Sequence, residues 1–324
     1  MHAPMSEHSH IGPPEQSVED MLREEVAHGD VILSTARPIL RHLLANDAQA
    51  MFCDEVLARV RGMMASLARQ MLVALAREAK STDIAGFVDE RCDELTLRLL
   101  GETQLLAHIH ALTVEARTAE KLRERSGIDP VLTPLFQELS ASTDGAVAAS
   151  GMRALAAQAR FIQQQHRMDL PLGELPEDLF SLAIGHFRSG VEDEREAANA
   201  VVGTLRDAYR PGARRVAQMK ELIAGMRQRA ARSLDIHHAG VSLFVTALAM
   251  ASDEARDTAI LSLSENQCAR LALSLRASGL SGDAVEEQFL YLHPDIALPE
   301  GFASISAQRA NAMLTEARRN AQAI

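Results

Sequence analysis

Between Gln49 and Ala79 the large apolar side chains fall three and four residues apart, at Phe52, Val56, Val60, Met63, Leu67, Met71 and Leu75. That is the spacing of one face of an α-helix. A second file at Leu57, Met64 and Leu72 widens the face. The pattern therefore predicts a helix of roughly eight turns over 49–79, buried on a broad side. Its four methionines, Met51, Met63, Met64 and Met71, adapt to irregular contacts. The face is a candidate self-association seam, with Phe52, Val56, Val60, Met63, Leu67 and Met71 at its centre and a homodimer as the result.

Turn and cap signals divide the rest of the chain. Residues 1–17 read as a disordered tail ending at Ser17, which caps a helix from Val18 toward Ala27 that Gly29 ends. Pro38 starts or kinks the following apolar run, Val31 to Leu44. Asp83 opens another helix, and a run through Leu105 and Leu122 closes at Ser126-Gly127. Asp129-Pro130 is a cap and first-turn pair for a helix from Val131 to Leu139. Two prolines and a glycine in Asp169–Pro176 rule out regular helix there and suggest a domain boundary, with a helical bundle over 18–170 and a helical array over 171–324. In the array, Ser264 with Gln267 reads as a capping box, Gly279-Leu280 as a Schellman stop, Ser281 as the next cap and His293-Pro294 as the end of an αα-hairpin. No fixed period of about 34 or 40 residues recurs, so the expected array is HEAT-like but irregular.

Composition makes the class all-α. The 324 residues contain no Trp, two Tyr and nine Phe, so the core must come from Leu, Ala, Val, Ile and Met, which suit close helix packing better than strands. The uncharged span Ile236–Ser252 is shorter than a bilayer-crossing helix and includes His237 and His238, which predicts a buried helix and no membrane span.

A formal charge of -11 argues against a general nucleic-acid or anionic-membrane surface and fits a soluble cytoplasmic protein. The charge is uneven. Arg206, Arg210, Arg214, Arg215, Lys220, Arg227, Arg229 and Arg232 face only Asp207 and Glu221 between 206 and 232, a local +6 that leaves -17 elsewhere. Forked guanidinium donors suit carboxylates, so Arg206, Arg210, Arg214, Arg215, Arg227 and Arg229 are the expected docking residues for a protein partner with an acidic surface. Nucleic acid is the poorer fit, because the second helix of the 264–293 hairpin carries Glu286 and Glu287 where a recognition helix would meet phosphate.

Catalytic signatures are sparse. Cys53, Cys92 and Cys268 are far apart without a CxxC pair, as expected of reduced thiols. His108 and His110 point about 200° apart on a helix, His237-His238 are adjacent, and HExxH is absent, so neither a metal nor a cofactor is expected. Phosphate loops and the GxSxG elbow are missing. His42, beside Arg41, is the candidate phosphoacceptor, since a helical bundle displaying one histidine suffices for a phosphohistidine, although Leu43 and Leu44 follow where Lys and Gly would help.

The stretch Ala157–Phe180 (AQARFIQQQHRMDLPLGELPEDLF), with Leu248–Ser252 and Leu275–Leu280, resembles a helical family of uncharacterised alphaproteobacterial proteins, a domain of unknown function, over about residues 150–290. The resemblance implies an all-helical, repeat-like cytoplasmic protein of bacterial origin and brings no catalytic residues with it. Taken together, the residues favour a non-enzymatic interaction or regulatory module, such as a signalling adaptor. A phosphotransfer or other small enzyme on the bundle, and a nucleic-acid-associated regulator using 206–232, are the alternatives.

Overall fold

A computed structural model describes residues 17–45 and 54–322, which form helices joined by turns and short irregular links, with no strand among them. In chain order the helices are α1 (Val18–Ala45), α2 (Asp54–Glu78), α3 (Ile84–Leu100), α4 (Thr103–Ser126), α5 (Pro134–Ser140), α6 (Gly145–His166) and α7 (Glu177–Gly190). They continue as α8 (Arg195–Ala208), α9 (Arg215–Gly225), α10 (Ile236–Ser252), α11 (Arg256–Leu261), α12 (Cys268–Ala277), α13 (Gly282–Leu292) and α14 (Ala307–Gln322). Short 3-10 turns fill several links, among them Leu172–Glu174 and Arg227–Leu234.

Local chemistry sets most boundaries. Ser17 Oγ accepts from Asp20 N at 3.2 Å, Asp83 Oδ1 from Gly86 N at 2.9 Å and Ser281 Oγ from Ala284 N at 3.3 Å. Gly127 and Gly279 stop α4 and α12 with φ of 68° and 93°, and Leu280 N–H closes the Schellman loop on Leu275 O at 3.3 Å. Three boundaries differ from expectation. Gly29 does not end α1; it is where α1 presses on the link before α12, since a Cβ there would lie 2.4 Å from Gln267 Nε2 and 2.8 Å from Asn266 O. Asp129 instead ties a turn, accepting from Val131 N and Leu132 N at 2.7 Å, and α5 starts at Pro134 behind a Thr133 cap. The Ser264–Gln267 box does not form either, because Gln267 is buried under Gly29 and Ser264 makes no capping bond.

Two hydrophobic cores organise the helices, and they are interleaved along the chain. One joins α2, α3, the first half of α4, Phe161, the 170–175 stretch, α7 and α8; the other joins α5, α9 to α14 and the front of α6. Helices α1 and α4 serve both, with Leu22, Val26 and Leu122 in the second core and Leu40, Ile109 and Leu112 in the first. A cut at residue 170 therefore separates residues that share a core. The Pro/Gly stretch expected to mark a domain boundary is packed inside: Leu170, Leu172 and Leu175 are buried. Gln70 stands in for the missing helical partners, donating to Leu170 O at 2.7 Å and accepting from Leu172 N at 3.0 Å.

The apolar face of α2 is the centre of the first core. Val60, Met63, Met64, Leu67, Met71, Leu72 and Leu75 have 0% exposure, and Val56 packs half-buried beside them. Helices α3, α4, α7 and α8 lie against α2. The expected dimer seam is thus internal to one chain, because the three-and-four spacing reports removal from water and not what does the covering. Each such side chain contributes about 1.5–3 kcal/mol on burial. Phe52 and Met51, with the start of the predicted 49–79 helix, lie outside the described residues.

Helix α10 is buried almost throughout, as its uncharged sequence predicts, but it breaks at Gly240, whose φ of 70° and ψ of 167° are non-helical. A Cβ there would lie 2.5 Å from Thr133 Cγ2, so the break and the close approach to the α5 cap both require glycine. No single helix among the described residues is long and apolar enough to cross a membrane.

Candidate functional site

The arginine-rich segment divides into one internal side chain and several external ones. Arg215, the first residue of α9, is 1% exposed. Its Nη1 and Nη2 donate to the two oxygens of Glu115 at 2.7 and 3.0 Å. Arg256, opening α11, grips the same carboxylate from the other side at 3.0 and 2.8 Å. Ser242 Oγ donates to Glu115 Oε1 at 2.7 Å, Gln158 Oε1 accepts from Arg215 at 3.1 Å, and Thr246 Oγ1 accepts from Arg256 Nε at 3.0 Å. The Phe161 ring lies 3.8 Å from the Arg215 guanidinium carbon. Five helices (α4, α6, α9, α10 and α11) are thereby tied to one carboxylate. Burial by itself would raise the pKa of Glu115, but the charges and hydrogen bonds of Arg215 and Arg256 outweigh it and hold the group well below the usual carboxylate range.

Arg215 was expected to meet a partner, and the structure corrects that placement: with its charge already matched inside, no surface is left for it. The counter-ion is a hundred positions away, out of reach of local sequence pattern. A signal did exist in Glu115 itself, a lone acid on a helix face with Ala111, Leu112 and Ala116.

Around this interior the other arginines stay outside. Arg206, Arg210, Arg227 and Arg229 are exposed and Arg214 is half-buried. None of the five forms an ion pair with a carboxylate among the described residues. Arg210 and Arg214 instead brace the α8–α9 link, donating to Asp207 O at 2.5 Å and Pro211 O at 3.2 Å. Glu174 sits between the interior and this surface: its Oε2 accepts from Arg215 N at 3.0 Å, and Arg214 and Arg160 lie near enough to act on it. Burial raises its pKa against those favourable contacts. A separate open groove of about 470 Å³ between α2 and the end of α6 is lined by Arg69, Arg77 and Arg167 with Asp169 as its carboxylate.

A second buried ion network has the reverse composition. Arg270 on α12 donates to Glu254 Oε1 at 2.8 Å and to both oxygens of Asp30 at 2.7 Å, while Ser274 Oγ donates to Glu254 Oε2 at 2.7 Å. Asp30 also lines a cleft of about 620 Å³ between α1 and α14.

Histidines are largely occupied with structural ties. His108 Nδ1 meets Asp257 Oδ2 at 2.8 Å, His186 Nε2 meets Glu102 Oε1 at 2.8 Å, and His237 stacks on Tyr291 with ring centroids 5.2 Å apart. His293 borders a polar cleft of about 480 Å³ with Lys121, Arg125, Glu265 and Asp295, and burial lowers its pKa. His42 falls on α1, but its side chain is not among those described. Cys92 is buried, and burial pushes the half-buried Cys268 thiol up to about 11, which leaves it a poor nucleophile at neutral pH. Among the described residues no group of three or more His, Cys, Asp or Glu side chains is placed to hold a metal ion. No family model, curated protein or solved structure matches the chain.

Proposed function

We propose that this chain is a non-enzymatic interaction module, of regulatory or adaptor type, that docks a protein partner with an acidic surface on Arg206, Arg210, Arg214, Arg227 and Arg229. The observation that carries the proposal is the division of one segment: Arg215 is consumed internally, while Arg206, Arg210, Arg227 and Arg229 are exposed, Arg214 is half-buried, and none of these five forms an ion pair with a carboxylate among the described residues. Guanidiniums outside ion pairs, two of them (Arg210 and Arg214) held in place by backbone carbonyls, are suited to bidentate carboxylate contacts. The net charge of -11 on the whole chain opposes the approach of a long polyanion but not of a compact acidic patch. Self-association through α2 is no part of the proposal, since that face is internal. The free thiols of Cys92 and Cys268 support a reducing, cytoplasmic setting, and the succession of short helices from α9 to α13 supports an irregular helical array as the scaffold.

Fluorescence anisotropy at physiological ionic strength tests the proposal, using a labelled Glu/Asp-rich peptide beside duplex and single-stranded oligonucleotides. The peptide should bind more tightly than either oligonucleotide and lose about tenfold or more in affinity in an Arg210→Glu, Arg214→Glu variant. Tighter oligonucleotide binding, lost in that variant, would replace the adaptor with a nucleic-acid-associated regulator.

A further inference from the structure

The cleft between α1 and α14 lies apart from the arginine surface and is built differently. Its α1 wall is a single helix face, Arg23, Val26, Ala27, Asp30, Val31 and Ser34, and its floor is Leu273 of α12. Helix α14 closes the opposite side with Met313 and Ala317, flanked by Glu316 and Asn320. At about 620 Å³ it has the size of a small-molecule site, with an apolar body and few polar groups.

Its charge decides what fits. Arg270 is one guanidinium serving two carboxylates, Glu254 and Asp30, so the network holds a net negative charge in a poorly solvated place. The Glu254 side chain has 0% exposure, whereas Asp30, at 25%, borders the cleft. Arg23, the cation on the same wall, offsets nothing, because it already bridges Glu19, Asp20 and Glu316 at 3.5, 2.9 and 3.4 Å. An ammonium group beside Asp30 would neutralise the surplus, and a carboxylate or phosphate head would add to it. We infer that the α1–α14 cleft binds a small amphiphile with an apolar chain and a cationic, ammonium-type head seated at Asp30.

Isothermal titration calorimetry of the full chain with decylammonium, decanol and decanoate, each below its micelle concentration, separates tail from head. Decylammonium should bind tightest and decanoate weakest, differing by about tenfold or more. Asp30→Asn should bring decylammonium down to decanol. Ala27→Trp and, independently, Ala317→Trp fill the cleft without touching the ion network and should abolish binding of all three. Equal affinity for the cation and the anion, binding that survives both tryptophan variants, or no binding of decylammonium would each overturn the inference.

Discussion

The two buried ion networks use the same side-chain chemistry in inverse proportion. Around Glu115 one carboxylate sits between two guanidiniums; around Arg270 one guanidinium sits between two carboxylates. The first is closed: Glu115, Arg215 and Arg256 are almost wholly shielded, Ser242, Gln158 and Thr246 add hydrogen bonds to them, and Glu174 stands beside Arg215 as a second carboxylate, although Arg215 Nε itself has no hydrogen-bond partner among the described residues. The second is open on one side, where Asp30 reaches the α1–α14 cleft with no further cation to balance it. A buried network whose charges cancel inside ties helices together; one left with a surplus beside a cleft has something to offer a ligand.

The comparison breaks first at Glu115. Glu115→Ala leaves two buried guanidiniums uncompensated and should cost about 3–5 kcal/mol in urea-induced unfolding; a cost below about 1 kcal/mol would show that the network does not hold the fold together. The same carboxylate sets an acid limit. Its folded-state pKa is depressed, so its contribution is complete above the unfolded value of 4.5 and is lost as pH falls through the folded value. Glu174, raised by burial, acts with the opposite sign: its contribution is greatest below 4.5 and fades as pH rises through its folded value. Wild type should therefore lose more stability than Glu115→Gln on going from roughly pH 5 to pH 3, measured as the shift in urea midpoint. An identical loss in both would assign the acid sensitivity elsewhere.

At the open network the effects shrink. Asp30→Asn removes a partner that is a quarter exposed and leaves Arg270 paired with Glu254, so about 1–2 kcal/mol is expected. A cost equal to that of Glu115→Ala would erase the distinction between closed and open. Smallest is Arg206→Glu, on an exposed side chain, which should change unfolding free energy by no more than about 0.5 kcal/mol.

How much of this was legible depended on whether the cause was local. The all-helical class, the Ser17, Asp83 and Ser281 caps and the Gly279 stop follow from short-range hydrogen bonding and were readable. That α2 is buried on one broad face was readable too. That the cover is α3, α4, α7 and α8 of the same chain was not, because periodicity carries no information about the partner. Glycine at position 29 serves equally as a helix stop or as a point of close approach, and only the packed Gln267 distinguishes the two. The Asp169–Pro176 stretch has a linker's composition, yet Gln70, about a hundred positions earlier, supplies the hydrogen bonds that let it be buried. Arg214 and Arg215 are adjacent and chemically identical, and what separates them is the distant partners, Glu115 and Gln158, that Arg215 meets inside.

That last pair offers the most direct measurement of the central claim, that folding and docking are divided among neighbouring arginines. Unfolding free energy and affinity for an acidic peptide should be determined on the same preparations of Arg215→Met and of Arg210→Glu, Arg214→Glu. The account predicts that Arg215→Met loses several kcal/mol of stability, about 3–5 by the usual cost of breaking a buried pair, with affinity per folded molecule unchanged. The surface variant should do the reverse, losing affinity while giving up no more than about 1 kcal/mol of stability for the exposed bonds of Arg210 and Arg214 to the link carbonyls. An Arg215→Met protein that stays stable but no longer binds, or a surface variant that binds as wild type does, would contradict it.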